Sequence, residues 1–153
     1  MSTIAITATR SVLASEPRIH QALYVIHAAG LVDKVIVGAA RGGDCQAAQA
    51  AIALGFTVHT VVPGDWGQLC PHWREFVTTV GVAPPHTTTH ELMKREAGSI
   101  AYRHRNERMV GLADAGLLAF PNHSEQAAYS GVTMTINIAR RLGKPVQSVR
   151  LHD

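Results

Sequence analysis

The stretch KVIVGAARGGDCQAAQAAIALG, residues 34–55, decides the fold. It begins with a short apolar run of β-branched residues, which is typical of a buried strand. It continues through a glycine-rich turn into alanines at helical spacing, and Gly55 is placed to end the helix. A buried strand that turns sharply into a helix is one unit of a parallel sheet with crossover helices.

The same alternation extends on both sides of this unit. Upstream, Ile4–Ala8 predicts a strand, and a helix follows with Ser15 as its cap and Gly30 as its stop. Downstream, TVHTVV predicts a third strand, and the last third of the chain alternates helix, strand, helix and strand, the final strand starting at Pro145. We therefore expect an α/β fold: a Rossmann-like, doubly wound parallel sheet of about five strands, in the order 3-2-1-4-5, with helices on both faces.

The length and the middle of the chain define the predicted domain. A chain of 153 residues suits a single domain, 1–153, with a core of its own. Between Trp66 and Ala97 the alternation lapses into a proline-rich segment that shows no strong strand pattern. We interpret residues 67–97 as a lid or insertion.

Composition narrows the class of protein. Only 5% of the residues are aromatic, which disfavours binding modules that stack bases on aromatic side chains. The net charge of +3 does not demand binding to duplex DNA and fits a local anion site. Two cysteines without a CxxC motif, and polar residues where a signal core would run, predict a reduced cytoplasmic protein. With no apolar run of about 20 residues, a membrane is excluded as a partner.

The predicted ligand site lies where the strands end. In open parallel sheets, ligands bind beyond the carboxyl ends of the strands, close to helix N-termini. Five segments fall there: TATRS, GAARGGD, FPNH, YSGVT and RHRNERM. The candidate ligand-binding residues are Thr9, Arg10, Gly38, Arg41, Gly42, Gly43, Asp44, Arg105, Asn106, Pro121, Ser130, Gly131 and Thr133.

Each of these segments also has a plain structural interpretation. In the ligand-binding interpretation, the glycines at 38, 42 and 43 adopt positive φ and expose backbone to a ligand. GAARGGD is neither a P-loop nor a GxGxxG fingerprint, however, so it could also be a tight strand-to-helix turn with a surface arginine. Asp44 is a candidate cap for the helix that follows. SGVT could be an ordinary helix start, and RNERM a solvated basic helix.

Taken together and in order, the segments GAARGGD, GDW, RN..M, LADAGLLAF and SGVT…ARRLGKPV resemble the SLOG superfamily, most closely its small YspA/YpsA-related branch. The resemblance implies a Rossmann-like fold that binds nucleotides or nucleotide-derived ligands. It places Thr9, Arg10, the GAARGGD turn, Arg105, Asn106 and the SGVT helix start in the pocket. Ala8 stands where that superfamily usually has glycine.

The resemblance also raises an enzymatic alternative. LOG-type relatives cleave the N-glycosidic bond of nucleoside monophosphates with an arginine and a glutamate. Arg105 matches the arginine, but Met134 and its neighbours stand where the glutamate is expected. Such chemistry needs a carboxylate, so the catalytic residues remain unassigned, with Arg105 and Glu125 as candidates and Glu107 or Glu96 as further acids.

We therefore expect a module that binds a nucleotide or a nucleotide-derived small molecule, with no cofactor. The alternatives are a nucleoside-monophosphate N-glycosidase and, less favoured, single-stranded DNA binding in the manner of the DprA proteins. Nucleic acid is thus the less favoured partner, and a homodimer is a candidate assembly. His86 and His90 would share a face if helical, but without further ligands we expect no metal site.

Overall fold

The computed structural model describes residues 2–9, 16–38, 43–63, 88–93, 99–121 and 131–151. Its strands, all parallel, are β1 Ser2–Ala8, β2 Val32–Val37, β3 Thr57–Pro63, β4 Thr88–Met93, β5 Leu117–Phe120 and β6 Val146–Ser148. Its helices are α1 Pro17–Ala29, α2 Gly43–Leu54, α3 Ser99–Leu112 and α4 Gly131–Arg141.

The sheet confirms the predicted topology and adds one strand to it. The strand order is β4-β3-β2-β1-β5-β6. With β4 set aside, this is the predicted order of five strands. The added strand lies on the outer side of β3, with a register that runs from Val58↔Thr88 to Pro63↔Met93. The expectation that the middle of the chain holds no strand is therefore wrong for residues 88–93.

Alternation along β1 divides the core into two layers. Ile4 and Ile6 belong to one cluster, packed with α1 and α2, and Ala5 belongs to the other, packed with α3 and α4. The helices thus cover both faces of the sheet, as predicted. In α2, the alanines at 47, 48 and 51 have no exposed surface, because small side chains let the helix lie close against the strands.

The ends of α1 show how local sequence sets its bounds. Gly30 closes the helix with φ 72°, a left-handed conformation that glycine adopts without strain, as predicted. The cap at the other end is Glu16, one residue after the predicted Ser15: its carboxylate accepts a hydrogen bond from the Arg18 backbone N–H. Pro17 occupies the first turn, where a missing N–H costs nothing.

The C-terminal segment after β6 is part of the fold. Leu151 is 2% exposed and belongs to the core cluster on the α1 and α2 side. Its backbone N–H donates to the Pro121 carbonyl at 3.0 Å, and the Arg18 side chain donates to the carbonyls of Arg150 and Leu151. The segment therefore continues along β5 to the edge where that strand ends.

None of the helices in the described ranges combines the length and the apolar character that crossing a bilayer requires.

Candidate functional site at the carboxyl edge

Backbone hydrogen bonds draw the predicted segments together at the edge where the strands end, called the carboxyl edge below. The Thr9 N–H donates to the Phe120 carbonyl at 3.1 Å, which joins the exit of β1 to the end of β5. The Gly43 N–H donates to the Thr9 carbonyl at 3.0 Å, which joins the start of α2 to the same point. Thr9 and Gly43 therefore lie together, and Pro121 follows directly after Phe120.

Close packing around residue 43 requires a glycine at that position. A Cβ at this position would overlap the Ala8 Cβ and come within 2.6 Å of the Thr9 carbonyl oxygen. Its φ is not positive, because the positive-φ glycines of the described chain are Gly30, Gly55, Gly116 and Gly143. The missing side chain lets α2 begin in contact with the end of β1.

Gly38 makes room for a side chain of the protein itself. A Cβ on Gly38 would lie 2.6 Å from Arg105 Nη1 and 2.8 Å from Arg105 Cζ. The guanidinium occupies that space and donates from Nη1 to the Gly38 carbonyl at 2.6 Å. The expectation that Gly38 and Gly43 have positive φ is wrong, because both are small to admit neighbouring protein atoms.

Arg105 is a buried cation with a fixed orientation. The residue is 8% exposed, and its Nε donates to Asn106 Oδ1 at 2.8 Å. Its guanidinium also lies over the Tyr102 ring, 5.5 Å from the centroid, in a cation–π arrangement. The interpretation of RNERM as a solvated basic helix is therefore wrong for Arg105, although Arg108 in the same segment is exposed. Glu107 forms an ion pair at 3.3 Å with Arg103, which lies one turn earlier on the exposed side of α3.

Asn106 joins Arg105 to α4. It is 5% exposed, and its Nδ2 donates to Met134 Sδ at 3.5 Å. The two ends of the amide therefore meet two different partners, which fixes its orientation. Met134, at the position where the LOG-type glutamate is expected, accepts this hydrogen bond through a neutral thioether.

Two helices begin at this edge, with their N-termini directed toward it. α2 starts at Gly43, so Asp44 lies inside its first turn instead of capping it, and is buried. α4 starts at Gly131, which is exposed, and Thr133 is half-buried in the first turn. The Gly131 carbonyl accepts from Thr135 Oγ1 at 2.7 Å. The positive ends of both helix dipoles therefore contribute to the potential at this edge.

The structure thus brings together Thr9, Gly38, Gly43, Arg105 and Asn106, with α4 joined to them through Met134. Six predicted site residues lie outside the described residues: Arg10, Arg41, Gly42, Ser130 and the candidate acids Glu96 and Glu125. Two residues at the edge were not predicted. Tyr102 lies three positions before Arg105 on α3, and this helical spacing could have identified it as a neighbour of the arginine. Thr7 could have been identified as a hydroxyl residue inside an otherwise apolar strand.

The histidine pair has no shared helical face. His90 lies in strand β4, and His86 falls outside the described residues. Across the part of the chain that the structure describes, no three histidine, cysteine or acidic side chains cluster in a way that could hold a metal ion.

Comparison with known proteins identifies the family. A family model described as DNA recombination-mediator protein A matches residues 1–152. No curated protein matches the chain. The predicted resemblance to the SLOG superfamily is confirmed, since this family is one of its members.

Solved structures with the same fold include two DNA processing proteins. DprA from Streptococcus pneumoniae matches with a TM-score of 0.70 at 17% identity, over 96% of this chain and 50% of its own. DprA from Helicobacter pylori, solved for its single-stranded DNA binding mode, matches with a TM-score of 0.64 at 17% identity, over 96% of this chain and 64% of its own. This chain therefore spans half the length of the Streptococcus protein.

A third solved structure has the same fold but belongs to a protein named for a ligand other than DNA. It is a molybdenum cofactor binding protein from Rippkaea orientalis, with a TM-score of 0.64 at 13% identity, over 97% of this chain and 76% of its own. At these identities the likeness establishes the Rossmann-like fold. The expectation that nucleic acid is the less favoured partner finds no support among these proteins, one of which binds single-stranded DNA.

Proposed function

The chain belongs to the DNA recombination-mediator protein A family, and we propose that its carboxyl edge binds a nucleotide phosphate, first of all one carried by single-stranded DNA. The observation that carries the proposal is the Arg105 guanidinium, buried at the end of β2 and held there by Gly38 and Asn106. A cationic side chain that is already held in one orientation loses little conformational entropy when an anion binds beside it.

The surroundings of Arg105 reinforce its charge. The N-termini of α2 and α4 lie at the same edge, and such termini favour anions through their dipoles. Low dielectric strengthens the interaction of a buried charge with a nearby phosphate. Arg105 therefore acts through its field at this edge, in addition to any contact it makes with the phosphate.

Family membership and the Helicobacter pylori structure favour DNA as the source of the phosphate. The composition predicts how such binding would work. With 5% aromatic residues, phosphate contacts would outweigh base stacking. We expect binding with little sequence preference and a strong dependence on salt.

A free nucleotide is the second source of the same phosphate chemistry. This second source is supported by the Rippkaea orientalis structure, because a molybdenum cofactor binding protein has the same fold. Nucleotide hydrolysis is less well supported, since Met134 replaces the expected carboxylate and Glu107 pairs with Arg103 on the exposed side of α3.

Fluorescence anisotropy with a labelled oligo-dT of about 20 nucleotides tests the proposal directly, with deoxythymidine monophosphate as a competitor in a second arm. We expect Arg105→Ala to weaken binding by about 1.5–3 kcal/mol, the range for a charge-assisted hydrogen bond. Arg140→Ala removes the same charge from an exposed position in the last turn of α4 and serves as the control. Equal effects of the two variants would contradict a site at the carboxyl edge, and competition at low nucleotide concentration would favour the free nucleotide.

A further inference from the structure

Thr7 carries a buried hydroxyl at the carboxyl edge. It is the penultimate residue of β1 and is 9% exposed. In the described ranges its hydroxyl forms no hydrogen bond. Buried hydroxyl groups nearly always have a partner, because leaving one unsatisfied destabilises the fold. An unsatisfied hydroxyl in this position therefore points to a partner beyond the described residues, and a ligand at the carboxyl edge is such a partner.

The side chain of Thr7 faces the same layer as Arg105. Side chains alternate along a strand, so Thr7 lies on the side of Ala5, which packs in the cluster with α3 and α4. In the neighbouring strand, Thr7 pairs with Ala119, which belongs to that cluster as well. Arg105 and Asn106 reach the ends of the strands from α3, on this same side.

The next step along β1 leads directly into the site. Thr9, the first residue after β1, accepts through its backbone carbonyl the hydrogen bond from the first residue of α2. Thr7 thus lies two residues before the point where the end of β1, the start of α2 and the end of β5 meet. Two strand residues span about 7 Å, so a phosphate-bearing ligand that extends from that point over the Arg105 side of the sheet would come close to the Thr7 hydroxyl.

We propose that the Thr7 hydroxyl is a ligand contact, which donates a hydrogen bond to a phosphate oxygen of the nucleotide bound at the carboxyl edge. The assignment rests on the function proposed above. It adds a specific consequence: the hydroxyl is retained for binding at a cost to the stability of the free protein.

Thr7→Val separates binding from stability because valine keeps the shape and the β-branch but removes the hydroxyl. We expect the dissociation constant for the labelled oligo-dT to rise about tenfold. The melting temperature of the free protein should stay level or rise by about 2 °C, since an unsatisfied group has been removed. Thr7→Ser keeps the hydroxyl, and its affinity should stay within about twofold of the wild type.

Thr3→Val is the matched control. Thr3 lies on the same strand and the same side, four residues away at the other edge of the sheet, roughly 13 Å from Thr7. We expect this variant to bind as the wild type does. Unchanged affinity in Thr7→Val would overturn the assignment, as would a melting temperature more than about 4 °C lower, which would reveal a structural bond.

The experiment also separates this inference from the function on which it rests. If the wild-type protein bound neither oligo-dT nor deoxythymidine monophosphate, the proposed function would fail and the Thr7 contact with it. If the wild-type protein bound and Thr7→Val bound equally well, only the Thr7 contact would fail.

Discussion

Arg105 and Gly38 are 67 positions apart in the sequence, and Arg105 Nη1 donates a hydrogen bond to the Gly38 carbonyl oxygen at 2.6 Å. The glycine provides both the acceptor and the space in which the guanidinium lies. Through this one pair, α3 is fixed to the end of β2 and a positive charge is fixed at the carboxyl edge. Stability and the proposed phosphate binding would therefore depend on the same contact.

Gly38→Ala should damage both. The new methyl group would lie 2.6 Å from Nη1, so the guanidinium has to move. We expect a loss of about 1–3 kcal/mol in the free energy of unfolding, as for other overpacked sites, measured by urea denaturation. Affinity for oligo-dT should fall with it, because Arg105 loses its anchor.

The control for Gly38→Ala is Gly111→Ala. Gly111 lies on α3 with nothing within 4 Å of an added Cβ. Alanine there should stabilise the helix by about 0.5–1 kcal/mol and leave binding unchanged. Similar losses in both variants would indicate that Gly38 has no special relation to Arg105.

Gly43→Ala tests the junction between α2 and β1. Its methyl group would overlap Ala8 and crowd the Thr9 carbonyl, so α2 has to shift. We expect a loss of about 1–3 kcal/mol in the free energy of unfolding. Gly131, the first residue of α4, has open space around it, and Gly131→Ala should stay within about 0.5 kcal/mol of the wild type. Equal midpoints in urea for the two variants would refute the close-packing explanation.

Asn106→Asp should alter the electrostatics of the site. It places a carboxylate against Arg105 Nε and removes the N–H that Asn106 donates to Met134. Because the new carboxylate neutralises the charge of Arg105, oligo-dT should bind about tenfold more weakly. The slope of the logarithm of the binding constant against the logarithm of the salt concentration should decrease in magnitude by about one. Anisotropy titrations from about 50 to about 200 mM salt measure both quantities.

Asn137→Asp is the control for that charge. Asn137 is exposed on α4, so this variant changes the net charge by the same amount at the protein surface. Its effect on affinity should stay within about twofold, since exposed charges are well screened. A salt dependence in Asn106→Asp equal to that of the wild type would show that Arg105 does not act on the bound phosphate.

Leu151→Ala tests whether the last described residue contributes to the core. Leu151 is 2% exposed, whereas Leu142, after α4, is 53% exposed. We expect Leu151→Ala to lower the free energy of unfolding by about 2–5 kcal/mol, and Leu142→Ala to change it by less than about 0.5 kcal/mol. Urea denaturation of the two variants gives the comparison. A small loss in Leu151→Ala would mean that the C-terminal segment is dispensable for folding.

Local signals predicted the repeating units of the fold. Gly30 ends α1 as expected, because the left-handed conformation that it adopts is a property of one residue and its neighbours. The strand order followed from the right-handed connection of parallel strands. Strand β4 escaped prediction because TTHELM has no apolar run, and an edge strand is stabilised by pairing with β3 on one side.

The site was harder to predict, since its contacts join distant parts of the chain. Sequence alone placed Gly38, Gly43 and Arg105 at one edge. It could not show that Arg105 fills the space beside Gly38, because that depends on how α3 lies across the sheet. The same limit hid Thr7, whose proposed role depends on which groups in the described ranges are left without partners once the elements are packed.

The two glycines on either side of residues 39–42 have a consequence for engineering. Gly38 is fixed from α3 and Gly43 is fixed by the end of β1, so both attachment points are set by residues outside the segment. A library randomised at these four positions would therefore vary the segment as an exchangeable cassette, and selection for binding would test whether it sets the preference for the proposed ligand.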